Sequence, residues 1–236
     1  MNFLRSLFFM LLLLVITPPF AILVLLAAPV PRIPRYRFIT LWTRVVMWLV
    51  RHVLGIRHIV KGAENLPKNP TIILAKHQSA WETLAFQLIF PPQSWVLKRE
   101  LLWIPFLGWG LAMFSPIAIN RASRSEAFKR LVEQGQERLD QGFWITIFPE
   151  GTRTSPGQRR RYRIGGAWLA VKTGTQVIPV AHNAGVVWPR NAFVKRPGLV
   201  TVEIGEPIDP TGLTPEQLIQ KVEEWIESRM PILCPR

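Results

Sequence analysis

The sequence predicts an α/β fold, a largely parallel or mixed central sheet flanked by helices, preceded by an apolar N-terminal membrane segment of one or two helices. Three observations lead there. No charged residue occurs from position 6 to position 31. Beyond Gly55, strand-like and helix-like patterns alternate, the signature of layered α/β packing. At 236 residues the chain is long enough for one full-sized core and too short for a second globular domain beside it.

The uncharged run is almost wholly apolar over 7–15 and 20–28, and such a stretch belongs in lipid. Pro18-Pro19 falls in its middle and removes two backbone donors. A break or kink is therefore expected there, and two short helices are as compatible with the pattern as one span. Leu26-Ala27-Ala28 offers no convincing signal-peptidase site. Arg32, Arg35, Arg37 and Arg44 follow the run and only Arg5 precedes it, so the positive-inside rule places the remainder at the cytoplasmic face of the membrane.

From 36 to 54 the pattern is helical, with Arg37, Arg44 and Arg51 seven residues apart and so stacked along one face. Such a stripe is either the exposed edge of a core helix or a set of arginines snorkelling to lipid phosphates. The expected organisation is a membrane-associating segment at 1–35, an amphipathic basic linker helix at 36–56 and an α/β domain at 57–236.

Within that domain, strands are expected at 71–75, 95–97, 116–119, 143–148, 177–181 and 200–204, with a weaker one at 57–61. Helices are expected at 80–89, 124–139, 166–172 and 215–230, the second opened by a Ser123-x-x-Glu126 capping box. His77, Lys98, Arg121 and the segment Glu150 to Arg153 each follow closely on the end of a predicted strand. Open α/β sheets bind ligands beyond the carboxyl ends of their strands, so four polar stations converge on one crevice if those strands are parallel.

Composition narrows the partners. Twenty-nine Lys and Arg against fifteen Asp and Glu give a net charge of +14, which calls for a polyanionic partner: nucleic acid, an anionic bilayer face or a phosphorylated substrate. Ten tryptophans in a chain that is 49% hydrophobic favour the lipid side of that choice. The single cysteine, Cys234, excludes an internal disulfide and a Cys-rich zinc site.

The chemistry concentrates in Lys76-His77-Gln78-Ser79-Ala80-Trp81-Glu82. On a continuous helix a five-residue offset would place His77 and Glu82 roughly 140° apart, so His77 is expected before the helix, with Ser79 as N-cap and Glu82 in the first turn. Ser79-x-x-Glu82 also reads as a plain capping box with a structural histidine beside it. His52, His58 and His182 lack comparable neighbours and read as structural. In Phe148-Pro149-Glu150-Gly151-Thr152-Arg153 the Gly permits close approach of backbone amides to an anion, and Arg153 offers a fork matched to phosphate. Standing alone it would be a turn with a solvated charge pair. The Arg159 to Arg163 run reads as a solvated loop or as a contact to phosphates or an acidic carrier. No Gly-x-Ser-x-Gly elbow, His-Glu-x-x-His site or phosphate-binding loop is present; Gly166 to Thr173 fails the last with Val171 before its Lys.

In order along the chain stand His77-x-x-x-x-Glu82, Lys98-Arg99-Glu100-Leu101 with Ile104-Pro105 and Gly108, Ile119-Asn120-Arg121, Phe148-Pro149-Glu150-Gly151-Thr152-Arg153, and Val177-Ile178-Pro179-Val180. Over about 62–205 this series resembles the glycerophospholipid acyltransferase family, and within it the bacterial 1-acyl-sn-glycerol-3-phosphate acyltransferases. The resemblance implies that His77 deprotonates an acceptor hydroxyl and that Glu82 orients the ring. It also implies that Lys98, Arg121 and Arg153 hold a phosphate, with Glu150, Gly151 and Thr152 shaping that site. The implied partners are a lysophospholipid acceptor, an acyl carrier protein or coenzyme A thioester as co-substrate, and an anionic membrane surface. Neither a cofactor nor a metal is implied. Three positions depart from the family pattern: Glu82 replaces the usual Asp, Lys76 the usual Asn, and Asn120 stands where an acid is common. Lys76, if close to His77, is expected to disfavour the protonated imidazole. Two other readings remain: an acyltransferase for another lysophospholipid or amino-acid lyso-lipid, and a non-catalytic basic membrane- or nucleic-acid-binding protein.

Overall fold

The computed structural model describes residues 1–104, 107–119 and 124–235. Its centre is a seven-stranded sheet in the order β1-β7-β6-β2-β5-β3-β4. The strands are β1 (Ile56–Lys61), β2 (Ile72–Ala75), β3 (Gln93–Lys98), β4 (Ile117–Ile119), β5 (Trp144–Ile147), β6 (Val177–His182) and β7 (Gly198–Ile204). All seven stand where the sequence predicts them, within a few residues. Five, β6-β2-β5-β3-β4, are mutually parallel. The sheet is mixed because β7 runs antiparallel to β6 and carries the parallel β1 with it. His77, Lys98 and Glu150 to Arg153 follow members of the parallel five, so they share one edge of the sheet.

The helices are α1 (Asn2–Leu26), α2 (Arg32–His52), α3 (Trp81–Ile89), α4 (Leu107–Met113), α5 (Arg124–Asp140), α6 (Gly165–Thr173), α7 (Ala184–Val187) and α8 (Pro215–Leu233). Strand alternation divides the core. Ile73, Ala75, Ile178 and Val180 face one layer with Val46 and Val50 of α2 and Trp81, Ala85 and Phe86 of α3. Ile72, Leu74, Ile145 and Val177 face the other, with Leu131 of α5, Leu169 of α6 and Leu218, Val222 and Ile226 of α8. Each such fully buried aliphatic contributes about 1.5–3 kcal/mol, and both faces of the strands are covered, as parallel sheets require. Thr214 and Gln217 close a complete capping box at the start of α8.

Two alternatives that the sequence leaves open are decided. The Pro18-Pro19 break does not occur, because α1 is assigned as one 25-residue helix with both prolines inside it. The missing donors leave the remaining turns to carry the helix, as apolar helices with internal proline tolerate. The basic helix has a core-facing side: Tyr36, Ile39, Thr43, Val46, Leu49 and Val50 of α2 are buried. Its arginines Arg37, Arg44 and Arg51 do share the exposed face, interleaved with exposed Leu41, Val45 and Trp48. Only Ser6, Phe9 and Val24 of α1 are buried. Ser6 Oγ accepts the Lys195 amide at 2.9 Å, and Phe9 meets Trp188 edge-on at 5.8 Å, which seats the start of α1 on the domain. The Ser123-x-x-Glu126 box lies outside the described residues.

Candidate active site

The site forms where β2 ends. Alternation continued past Ala75 sends the side chain of Lys76 to the α8 layer and that of His77 to the α3 layer. His77 Nδ1 lies 2.8 Å from Glu82 Oε1. A carboxylate can only accept, so Nδ1 carries the proton and Nε2 keeps its lone pair. The ring stacks on Phe148, with centroids 3.9 Å apart and planes at 9°, and is 15% exposed. Glu82, fully buried, accepts on the same oxygen the amides of Gln78 at 2.9 Å and Ser79 at 2.7 Å. Burial alone would raise its carboxyl. The His182 and His77 imidazoles and the Ser79 amide outweigh that and hold it below the ordinary carboxylate range.

The backbone of His77 is pinned on both sides. The carbonyl of Lys76 accepts His182 Nε2 at 2.8 Å, and the amide of His77 donates to Glu150 Oε2 at 2.8 Å. The carbonyl of His77 accepts the Thr154 amide at 2.7 Å, and the amide of Gln78 is the one bound by Glu82. Both peptide planes flanking the His77 Cα are thus held at every polar atom, which fixes the direction in which the ring is presented. Fully buried His182 accepts the Ala184 amide on Nδ1 at 3.2 Å. Burial holds its pKa below the usual value against the opposing pull of Glu82, and its two ring nitrogens anchor the Lys76 carbonyl and the Ala184 amide.

His77 opens on a cleft of about 2000 Å³. Its lining includes an apolar set, with Pro18, Phe20, Ala21 and Val24 of α1, Ile39 and Trp42 of α2, and Leu111 and Phe114 among them. It also includes a basic set: Lys98, Arg153, Arg160, Arg161, Arg163 and Arg190. Gly151 sits in the left-handed region (φ 71°), which favours glycine, and a Cβ there would stand 2.9 Å from Arg163 Nε, so the arginine side chain would have to shift. Such a cleft suits an amphiphile with a long apolar part and an anionic head. Among the described residues no group of three or more His, Cys, Asp or Glu side chains converges as a metal site would require.

A family model described as Acyltransferase matches residues 57–183, a span that begins at β1 and closes just after β6. This chain belongs to the acyltransferase family. Among curated relatives, the 1-acyl-sn-glycerol-3-phosphate acyltransferase of Pseudomonas aeruginosa is 47% identical over 205 residues, covering 85% of this chain and 80% of the relative. The enzyme of that name from Saccharomyces cerevisiae is 32% identical over 184 residues, covering 75% of this chain and 59% of the relative. The crystal structure of the 1-acyl-sn-glycerophosphate acyltransferase from Thermotoga maritima superposes with a TM-score of 0.81 at 26% identity, covering 100% of this chain and 97% of that one.

In this acyltransferase the residues singled out from sequence fall as follows. His77 and Glu82 meet directly. Lys98, Glu150, Gly151, Thr152 and Arg153 line the same cleft as His77. Lys98 Nζ is paired with Glu100 Oε1 at 3.1 Å, and Glu150 is turned inward, its side chain fully buried. Arg121 lies outside the described residues. The assigned helix α3 is bounded at Trp81, with Ala80 before it already in helical conformation, and Ser79 makes the bond expected of a cap, its Oγ accepting the Trp81 amide at 3.1 Å. Glu82 still binds the Ser79 amide, so one carboxylate does both the capping and the imidazole work. Lys76 does not sit beside the base. Its ammonium lies on the opposite layer, 2.8 Å from Glu150 Oε1 and 2.7 Å from Glu227 Oε1, and both carboxylates neutralise it. The four arginines of the Arg159 to Arg163 run are exposed, as a solvated loop requires, while Tyr162 between them is buried; Arg159 pairs with Glu223 at 2.9 Å, and Arg160, Arg161 and Arg163 line the cleft. The sequence reading missed His182, Thr154 and Glu227. Strand parity after Ala75 is a signal for the layer that Lys76 enters, but not for the acids it meets there.

Proposed function

We propose that this acyltransferase moves a fatty acyl group from an acyl thioester, carried by acyl carrier protein or coenzyme A, to the sn-2 hydroxyl of 1-acyl-sn-glycerol-3-phosphate, giving phosphatidic acid. The observation that carries the reading is the His77–Glu82 pair, 2.8 Å apart, opening on a cleft lined by many apolar residues and five arginines. Nε2 of His77 takes the hydroxyl proton as that oxygen attacks the thioester carbonyl carbon. The tetrahedral intermediate collapses, the carbon–sulfur bond breaks, and the thiolate leaves with the proton from the imidazolium. Glu82 steadies the imidazolium while it exists. A thioester already has a good leaving group, so neither an enzyme nucleophile nor a cofactor enters the sequence. Arg153, with Lys98 and Arg121, holds the phosphate, and Glu150, Gly151 and Thr152 shape the turn that presents Arg153. The names of the relatives support the acceptor.

The test uses full-length chain in detergent with 1-acyl-sn-glycerol-3-phosphate and either thioester, product being read by mass spectrometry. Phosphatidic acid is the expected product. Turnover of another lysophospholipid or an amino-acid lyso-lipid, with none of the phosphomonoester, would overturn the acceptor and leave the chemistry.

The exposed apolar surface of α1, including Phe3, Leu7, Phe8, Leu11, Leu14 and Ile22, supports seating of this helix in lipid. The arginines that follow it support the cytoplasmic side. Because the attachment is hydrophobic, the chain is expected to stay with membranes through a high-salt wash and to leave only with detergent. Release by salt alone would show that the basic surface, not α1, holds it.

A further inference from the structure

We infer that Lys76 and Glu227 are positioning residues for His77, because the buried Lys76 ammonium ties helix α8 to the carboxylate that grips the His77 amide. This rests on the reading of His77 as the base. The side chain of Lys76 is 1% exposed, that of Glu150 0% and that of Glu227 14%. Glu227 Oε1 accepts Lys76 Nζ at 2.7 Å and the Tyr162 hydroxyl at 2.9 Å. The ammonium also stands 5.9 Å from the centre of the Tyr162 ring. Burial first, then Glu227 and Glu150, push the Tyr162 phenol far up, so it remains a donor and never adds a third negative charge.

A buried ammonium between two carboxylates is a costly way to fill a layer that Ile145, Leu169 and Val222 otherwise fill, and apolar residues of similar volume are commonly no worse for stability. What an apolar residue could not do is fix Glu150. One oxygen of that carboxylate lies 2.8 Å from Lys76 Nζ and the other accepts the His77 amide at 2.8 Å. Contacts therefore run without interruption from α8 through Glu227, Lys76 and Glu150 to the backbone of the base. The hydrogen bond from this cluster to His77 is made to its amide, so its effect on catalysis passes through the orientation of the His77 peptide plane. A misplacement of about 1 Å at a reacting group costs on the order of 10²-fold in rate.

The test compares wild type with Lys76→Met and Glu227→Gln as full-length protein labelled with [15N]histidine in detergent micelles. Four histidines give four backbone amide signals, and loss of one in His77→Ala assigns that of His77. In Lys76→Met that signal is expected to move, with those of His52 and His58 unchanged. The kcat is expected to fall by about 10-fold or more, with KM for both substrates within about twofold. Glu227→Gln, which keeps the shape and removes a charge, is expected to give the same changes in smaller measure and carries the test should Lys76→Met not fold. In Lys76→Met/Glu227→Leu, thermal stability is expected to recover over the single variant while kcat stays low. An unmoved His77 signal, or a double variant that regains kcat together with stability, would overturn the inference by showing that the cluster only packs. If wild type transfers no acyl group, the proposed reaction falls, and the amide signal still decides whether the cluster positions His77.

Discussion

His77→Ala is expected to lower kcat for acyl transfer by about 10²- to 10⁴-fold, the range general acid–base catalysis supplies, with KM for the acceptor little changed. The arrangement explains why the loss should fall on kcat. All four polar atoms of the peptide planes around His77 are bound by His182, Glu150, Thr154 and Glu82, and none of these contacts uses the imidazole. The backbone therefore holds its course when the ring is removed. The ring does leave behind its stack on Phe148 and an unmatched buried carboxylate, so some stability is lost as well. The melting temperature identifies a condition in which the variant is folded, and initial rates of phosphatidic acid formation there give kcat and KM separately. A variant within a few-fold of wild-type kcat would mean that another group takes the proton.

How far this site could be read from sequence depends on the range of each contact. His77 and Glu82 are five residues apart, and the argument that they meet only if the helix starts after His77 needs nothing beyond helix geometry. It placed the pair correctly and the start of the helix within one residue, since the Ser79 hydroxyl takes the Trp81 amide and Glu82 takes the Ser79 amide as the capping pattern requires. The strands were legible for a similar reason: short runs such as Ile72 to Ala75 and Trp144 to Ile147, buried throughout, leave local apolar signatures. Contacts that depend on sheet order were not legible. Strand β6 lies beside β2, and only that adjacency brings His182 under Lys76, 106 residues away. The ion pair of Lys76 with Glu227 spans 151 residues and requires α8 to cover one chosen face. Two prolines suggested a break in α1 because propensity treats each residue alone, whereas a long apolar helix survives the loss of two donors.

Glu82→Gln is expected to lower kcat by about 10²- to 10³-fold, and it separates charge from shape. The amide is nearly isosteric, and its oxygen can keep the Gln78 and Ser79 amides and His77 Nδ1, so the lone pair on Nε2 survives. What disappears is the negative charge that stabilises the imidazolium in the transition state. The new NH2 group falls where Glu82 Oε2 is buried without a partner, which costs about 1–3 kcal/mol for an unsatisfied donor. Were the amide to flip, its NH2 would face Nδ1 and enforce the wrong tautomer, a fault worth up to about 10⁴-fold in comparable pairs. Stability should respond to pH in a matching way. The folded carboxyl of wild type is held below its ordinary value, so its contribution is full at neutral pH and fades as pH falls through that lowered value. The Gln variant should lack this acid-side loss and be less stable at neutral pH. Glu82→Asp completes the comparison, since it keeps the charge and shortens the reach by one methylene. Started from the second residue of α3, the shorter acid must either move the helix or lengthen its bonds to three donors. It is expected to fall between wild type and Gln in kcat. Equal losses in Asp and Gln would assign the role of Glu82 to geometry, and wild-type turnover in Gln would remove the carboxylate from the mechanism.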